Sequence, residues 1–185
     1  MTVLPVVRLG HPALRAVSSA VPTEELGEAR FQSFLDDLAE TCIANNGAGI
    51  AAPQVAVNKR VIVVNVDPAN PRYPGHLPFP LTIVVNPTVE NRSDTTSEDW
   101  EGDLSANLRG LVPRAESCVV TGLDREGNDV RFDLWEPCHA RVFQHEIDHL
   151  DGYFFIDRIV KKETLLELPT ASDGQASETS RSSPG

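Results

Sequence analysis

Apolar residues recur along this chain at two different periods, and the changes of period mark out its elements. Val3 to Leu9 is a short apolar segment broken at Gly10-His11-Pro12, where His11 reads as a turn or helix-start residue. After the Thr23-Glu24-Glu25 entry, Phe31, Phe34, Leu35, Leu38 and Cys42 fall at three- and four-residue spacing, with Asp36, Asp37 and Glu40 opposite. That period predicts one long amphipathic helix, ended by Asn45-Asn46-Gly47 as a left-handed cap. The β-branched runs Val61 to Val66 and Leu81 to Asn86, bounded by Pro and Asn, predict strands. Between them Asp67 to Pro80 carries five prolines and His76, and reads as an exposed irregular loop. Asn91 to Asp99 is polar and reads as a turn. A hairpin is predicted from Glu116–Thr121 and Val130–Leu134, joined through Asp124 to Asn128. Pro137 opens a last helix ending near Asp151-Gly152, after which Phe154, Phe155 and Ile156 pack against something further. From Pro169 to Gly185 the chain is Ser, Thr, Gly and Pro with scattered charges, too little apolar surface to order itself. One domain over residues 1–168 and a disordered tail over 169–185 are expected.

Composition narrows the classes. A chain of 185 residues with 41% hydrophobic residues can bury one sizeable core. A formal charge of −11 argues against direct nucleic-acid binding, which needs clustered Lys and Arg. Cys42, Cys118 and Cys138 are unevenly spread and read as reduced, buried thiols and not a disulfide framework. No run approaches membrane-spanning length, so a cytoplasmic protein with no membrane association is expected.

Two stretches carry chemistry. Gly47-Ala48-Gly49-Ile50-Ala51-Ala52-Pro53-Gln54 is so rich in small residues that something must approach its backbone closely. It reads either as a tight packed loop or as a substrate-binding edge ending in a polar Gln54. The second stretch, Gln144-His145-Glu146-Ile147-Asp148-His149, holds His-Glu-x-x-His. At positions i and i+4 of a helix both imidazoles reach one metal ion, and Glu146 sits beside it, placed to take a proton from an activated water. The flanking Val142, Phe143, Ile147 and Leu150 make the helix mostly buried, where unligated imidazoles are costly. A solvated helix face is the bland reading of the same residues. The longer His-Glu-x-x-His-x-x-Gly-x-x-His protease motif is excluded, because Phe155 occupies the third histidine's position. The pattern does not select the third ligand.

Three stretches in register resemble the peptide deformylases, metallohydrolases that remove the formyl group from the initiator methionine. Gly47 to Gln54 matches that family's Gly-φ-Gly-φ-Ala-Ala-x-Gln, and Gln144 to Leu150 matches Gln-His-Glu-x-Asp-His-Leu. Glu101-Gly102-Asp103-Leu104-Ser105 stands where the family has Glu-Gly-Cys-φ-Ser. His11-Pro12-x-Leu14-Arg15 and Val112-Pro113-Arg114 agree as well, so the match runs from about Leu4 to Ile159.

The resemblance implies an α+β fold with antiparallel sheets packed around the central His-Glu-x-x-His helix near the C-terminus. It implies that His145, His149 and Asp103 hold one divalent metal ion, Fe(2+) in the family, with Zn(2+) or Ni(2+) as alternatives. Glu146 becomes the general base, and Gln54 and the Leu104 N–H become oxyanion donors. Gly49 would bind an extended peptide, Ala48 and Val142 would shape the methionine pocket, and Glu101 and Arg109 would brace it as an ion pair. The implied partner is an N-formylated peptide or nascent chain, met by a monomer. Two departures fall at the chemistry itself. Asp103 replaces the family's cysteine thiolate, and Ser105-Ala106-Asn107-Leu108-Arg109 lacks the usual proline and is one residue shorter. Besides a deformylase, the changes leave room for a related formyl or amide hydrolase, or for a weakly active or inactive formyl-peptide binder. Cys138, two helical turns before His145, reads as a structural thiol; His139 and His76 read as surface or structural residues.

Overall fold

Strand β2 (Val61–Val66) is buried on both faces, which is why its sequence is a continuous β-branched run and not an alternation. Val61 and Val63 pack on one side with Phe31, Leu35, Leu38 and Cys42, while Ile62, Val64 and Val66 pack on the other with Val142, Phe143, Ile147 and Leu150. In the computed structural model, which describes residues 1–70 and 75–168, the first group lies on helix α2 (Ala29–Ala44) and the second on α3 (Pro137–Leu150). A sheet is thus clasped between two helices. The middle of the loop read over Asp67–Pro80 and the tail read as disordered over 169–185 lie outside the described residues.

That sheet is antiparallel, with β1 (Gly49–Ala51) at one edge, then β2, β3 (Phe79–Glu90), β6 (Cys118–Leu123) and β7 (Asp129–Leu134). A second antiparallel sheet orders β4 (Thr96–Asp103), β5 (Ala106–Ala115) and β8 (Leu166–Glu167). Its core joins Ala106 and Val112 to Leu14, Phe154 and Phe155, which accounts for the apolar cluster after the last helix. The architecture is the expected α+β one. No helix among the described residues is long and apolar enough to cross a membrane.

Two sequence expectations need correction. The long helix read from Thr23 is two: α1 (Thr23–Leu26) is one turn, closed by Gly27, and the extended backbone of Glu28 separates it from α2. The polar Asn91–Asp99 stretch is a turn only at its start, since β4 begins at Thr96. As an edge strand with mostly exposed side chains, β4 carries no apolar alternation to betray it. The α2 stop is as read, with Asn46 in the left-handed conformation (φ 51°). At the end of α3, Gly152 (φ 77°) approaches Arg15 so closely that a Cβ would lie 2.7 Å from its carbonyl oxygen.

Candidate active site

Helix α3 sets the site. Glu136 caps it by accepting from the His139 N–H, Pro137 occupies its first turn, and it is buried from Ala140 to Leu150. His145 and His149 therefore face inward, one turn apart, with ring centroids 5.0 Å from each other. The end of β4 brings Asp103 to them. Its Oδ2 lies 2.8 Å from His149 Nε2 and 3.4 Å from His145 Nε2. Neither Oδ2 nor His149 Nε2 is aligned for a hydrogen bond, close as they are. The three ligand atoms lie within 4.8 Å of one another. Six buried side-chain polar atoms lack a hydrogen bond among the described residues, and five belong to Asp103, Ser105, Glu146 and His149. Such atoms are rare in folded proteins, and their clustering here fits a centre built for a cation and water. Two imidazoles and a carboxylate are an established donor set for divalent metals.

Around these donors the polar groups are held firmly. Glu101 Oε2 accepts from His145 Nδ1 at 2.9 Å, which leaves the Nε2 lone pair for the centre. Glu101 also takes a two-pronged bond from Arg114 (2.9 Å each) and one from Arg141 (2.8 Å). Arg114 reaches on to Asp148 at 2.5 Å, and Asp148 to Arg158 at 2.7 Å. Burial alone would raise the Glu101 carboxyl, but Arg114 and His145 hold it far below the ordinary carboxylate range. Burial likewise works against protonation of His145, and the Asp103 and Glu101 carboxylates outweigh it, keeping its imidazole well above the ordinary value. Glu146 is the contrast. Buried, and with no cationic partner except the two imidazoles, it is pushed up to about 7.

Strand β1 lies at the edge of its sheet beside these groups. The Asn65 N–H donates to the Ala48 carbonyl at 2.7 Å, and the antiparallel register pairs Gly49 with Val64. Alternation then turns the N–H and C=O of Gly49 away from β2, toward the side on which the sheet has no further strand. Ala51 follows the same rule, since its N–H points off the sheet to Gln54 Oε1 at 2.7 Å. Glu146 packs over Gly49: a Cβ there would lie 2.5 Å from Glu146 Oε1, so a larger residue displaces that side chain. The stretch is closely packed, every residue from Gly47 to Gln54 being buried, and it also turns the main-chain groups of Gly49 off the sheet edge.

A groove of about 830 Å³ runs over these elements. It is lined by Ala48, Gly49, Gln54, Glu101, Asp103, Leu104, Arg109, Val142, His145 and Glu146, so ten of the eleven residues singled out in the sequence share it. His149 lies just beneath, 1% exposed. The expected Glu101–Arg109 ion pair is not formed. Glu101 is paired with Gly110 and Arg109 with Gly102, so the two side chains leave opposite faces of the β4–β5 hairpin. Arg109 instead lies over the Trp100 ring, 4.3 Å from its centroid, and Arg114 and Arg141 take the acid. Arg114, Arg141 and Trp100 were given no role from sequence. Strand parity, once the hairpin is known, would have identified Arg114. Cys42, Cys118 and Cys138 are free and buried, and burial pushes the Cys138 thiol up to about 12, as suits a structural role. His11 caps a 3-10 turn, its Nδ1 accepting from the Ala13 N–H.

The comparisons agree with this picture. Residues 3–165 match the family model described as Polypeptide deformylase. A peptide deformylase of Nostoc sp. is 44% identical over 174 residues, covering 90% of this chain and 95% of its own length. Another, from Prochlorococcus marinus, is 36% identical over 193 residues, covering 98% and 99%. Among solved structures, a Met-Ala-Ser-bound class I type b peptide deformylase from Acinetobacter baumannii aligns with TM-score 0.79 at 38% identity, over 85% of this chain and 99% of that one. The three motifs, the fold that joins them and the likeness along nearly the full length have one reading: the chain belongs to the peptide deformylase family.

Proposed function

We propose that this chain hydrolyses the N-formyl group from N-formylmethionyl peptides of newly made proteins, with one divalent ion held by Asp103, His145 and His149. The observation that carries the proposal is the convergence of those three donors, two of them without hydrogen bonds, beneath Glu146 and beside an unpaired strand edge. Residues 1–168 act as the single catalytic domain. Ferrous iron is the ion the family resemblance implies; zinc or nickel also suits a two-imidazole, one-carboxylate set. When bound, such a cation supplies Lewis acidity, polarising a carbonyl and making a water acidic near neutral pH.

The residues of the chain account for the rest. The peptide adds to the free edge of β1 in extended form, its main chain meeting the N–H and C=O of Gly49. Ala48 and Val142 line the pocket that takes the methionine side chain. Glu146 takes a proton from the attacking water and delivers it to the departing amine. The new C–O bond forms on the formyl carbon, the C–N bond breaks, and formate and a free N-terminus leave. Charge developing on the formyl oxygen meets the Leu104 N–H and one N–H of Gln54, a donor pair whose loss costs about 100- to 1000-fold in comparable hydrolases. Glu101 holds His145 in place and Arg109 borders the groove through its stack on Trp100.

Formate release from formyl-Met-Ala-Ser, measured anaerobically with ferrous iron and separately with zinc or nickel, tests the proposal. Release that disappears in Glu146→Ala is expected. No release with any of the metals would overturn it.

A further inference from the structure

We propose that Gln54 is a positioning residue of the metal centre, which together with the Ser105 N–H confines Asp103 to ligation through a single oxygen. The inference rests on the metal reading above and concerns the residue at which this chain departs from its family. The two oxygens of Asp103 have separate partners. Oδ1 accepts from Gln54 Nε2 at 3.0 Å and from the Ser105 N–H at 2.6 Å, whereas Oδ2 has no hydrogen bond and faces the two imidazoles. An unrestrained carboxylate binds a cation through one oxygen or two. Turning Oδ1 toward the centre here would strip two donors of their acceptor within a side chain of 0% exposure, and buried unpaired donors are costly.

Gln54 is itself fixed in one orientation. Its Oε1 accepts from the Ala51 N–H at 2.7 Å, so the amide cannot turn over and Nε2 must face Asp103. Its backbone carbonyl is tied to the Val7 N–H at 2.8 Å, and the residue is 1% exposed. The restraint therefore passes from the β1 edge through Gln54 to the ligand oxygen. A thiolate has one donor atom and needs no such hold, so this task exists only because position 103 is aspartate. The consequence is a centre with three protein donor atoms, leaving coordination positions for water and substrate, as catalytic sites require. Gln54 has two amide hydrogens, and this role uses one of them, leaving the other for the formyl oxygen.

The test is a double-mutant cycle read by metal binding instead of turnover. Gln54→Leu is made in the native chain and in Asp103→Cys, and each protein is loaded with cobalt(II) or titrated with zinc against a coloured chelator. Cobalt(II) absorbs visible light more weakly as its coordination number rises. In the native chain, Gln54→Leu is expected to weaken cobalt absorption about twofold or more, and zinc affinity about 10- to 100-fold, the usual effect of losing an outer hydrogen-bond partner. In Asp103→Cys the same substitution should change neither. Gln54→Met, which keeps the length of the side chain but has no donor for Asp103, should reproduce the native-chain effect. Equal losses in both backgrounds, or no change in the native chain, would overturn the assignment. A wild-type protein that binds neither cobalt nor zinc would overturn the metal reading itself.

Discussion

Gly49→Ala isolates the contact between strand β1 and Glu146. Gly49 is an extended strand residue whose φ is not positive, so alanine fits its backbone without strain. The added methyl would lie 2.5 Å from Glu146 Oε1, 2.7 Å from Cγ and 2.8 Å from Cδ. Ordinary contacts need roughly 3.5 Å, so the carboxylate must retreat by about 1 Å. The displaced atoms belong to one side chain with rotatable bonds, so the stability cost falls at the low end of the ~1–3 kcal/mol typical of overpacking. At about 2–4 °C per kcal/mol for a chain this size, the melting temperature should drop by only a few degrees. Catalysis is more exposed, because a 1 Å misplacement of a reacting group costs on the order of 100-fold. The expectation is a folded variant with unchanged metal content and kcat for formate release down by about 100-fold. A kcat within roughly threefold of wild type would refute the placement of Glu146 over the edge.

Other perturbations follow from the same geometry. Asp103→Cys restores the family's thiolate, and formate release from formyl-Met-Ala-Ser with ferrous iron is expected to rise; a fall would show the carboxylate to be an adaptation. Arg114→Met leaves Glu101 and Asp148 buried without their shared cation, and thermal or urea unfolding should register a loss of about 3–5 kcal/mol. Glu101 and Asp148 both titrate below their ordinary values when folded, so the stability they lend is complete above the unfolded carboxylate range and fades as pH falls through the depressed values. Urea midpoints of the metal-free protein should therefore decline steadily below about pH 4, and a flat profile down to about pH 3 would contradict that.

How much of this was legible in the sequence depended on whether the cause was local. The facing of His145 and His149 with Glu146 beside them follows from helix period, and β2 from unbroken β-branching, because one helix turn or one strand contains the whole signal. Strand β4 was missed since an exposed edge strand buries too little to impose a pattern. The Glu101–Arg109 pair went wrong by one step of strand parity: an eight-residue separation in sequence says nothing about faces until the hairpin register pairs Gly102 with Arg109. Asp103 could be named a candidate ligand through family likeness, yet the division of labour between its oxygens depends on Gln54 arriving from the 3-10 turn after β1, 49 residues earlier. Such a contact between distant segments leaves no periodic trace.

The central claim is that Asp103, His145 and His149 converge on one ion beneath Glu146. Anomalous diffraction at the zinc absorption edge, from crystals of zinc-loaded protein, tests it most directly. A single peak about 2.0–2.2 Å from Asp103 Oδ2, His145 Nε2 and His149 Nε2 is the predicted result. A peak elsewhere, or one that the two imidazoles share while Asp103 lies beyond about 3 Å, would contradict the account.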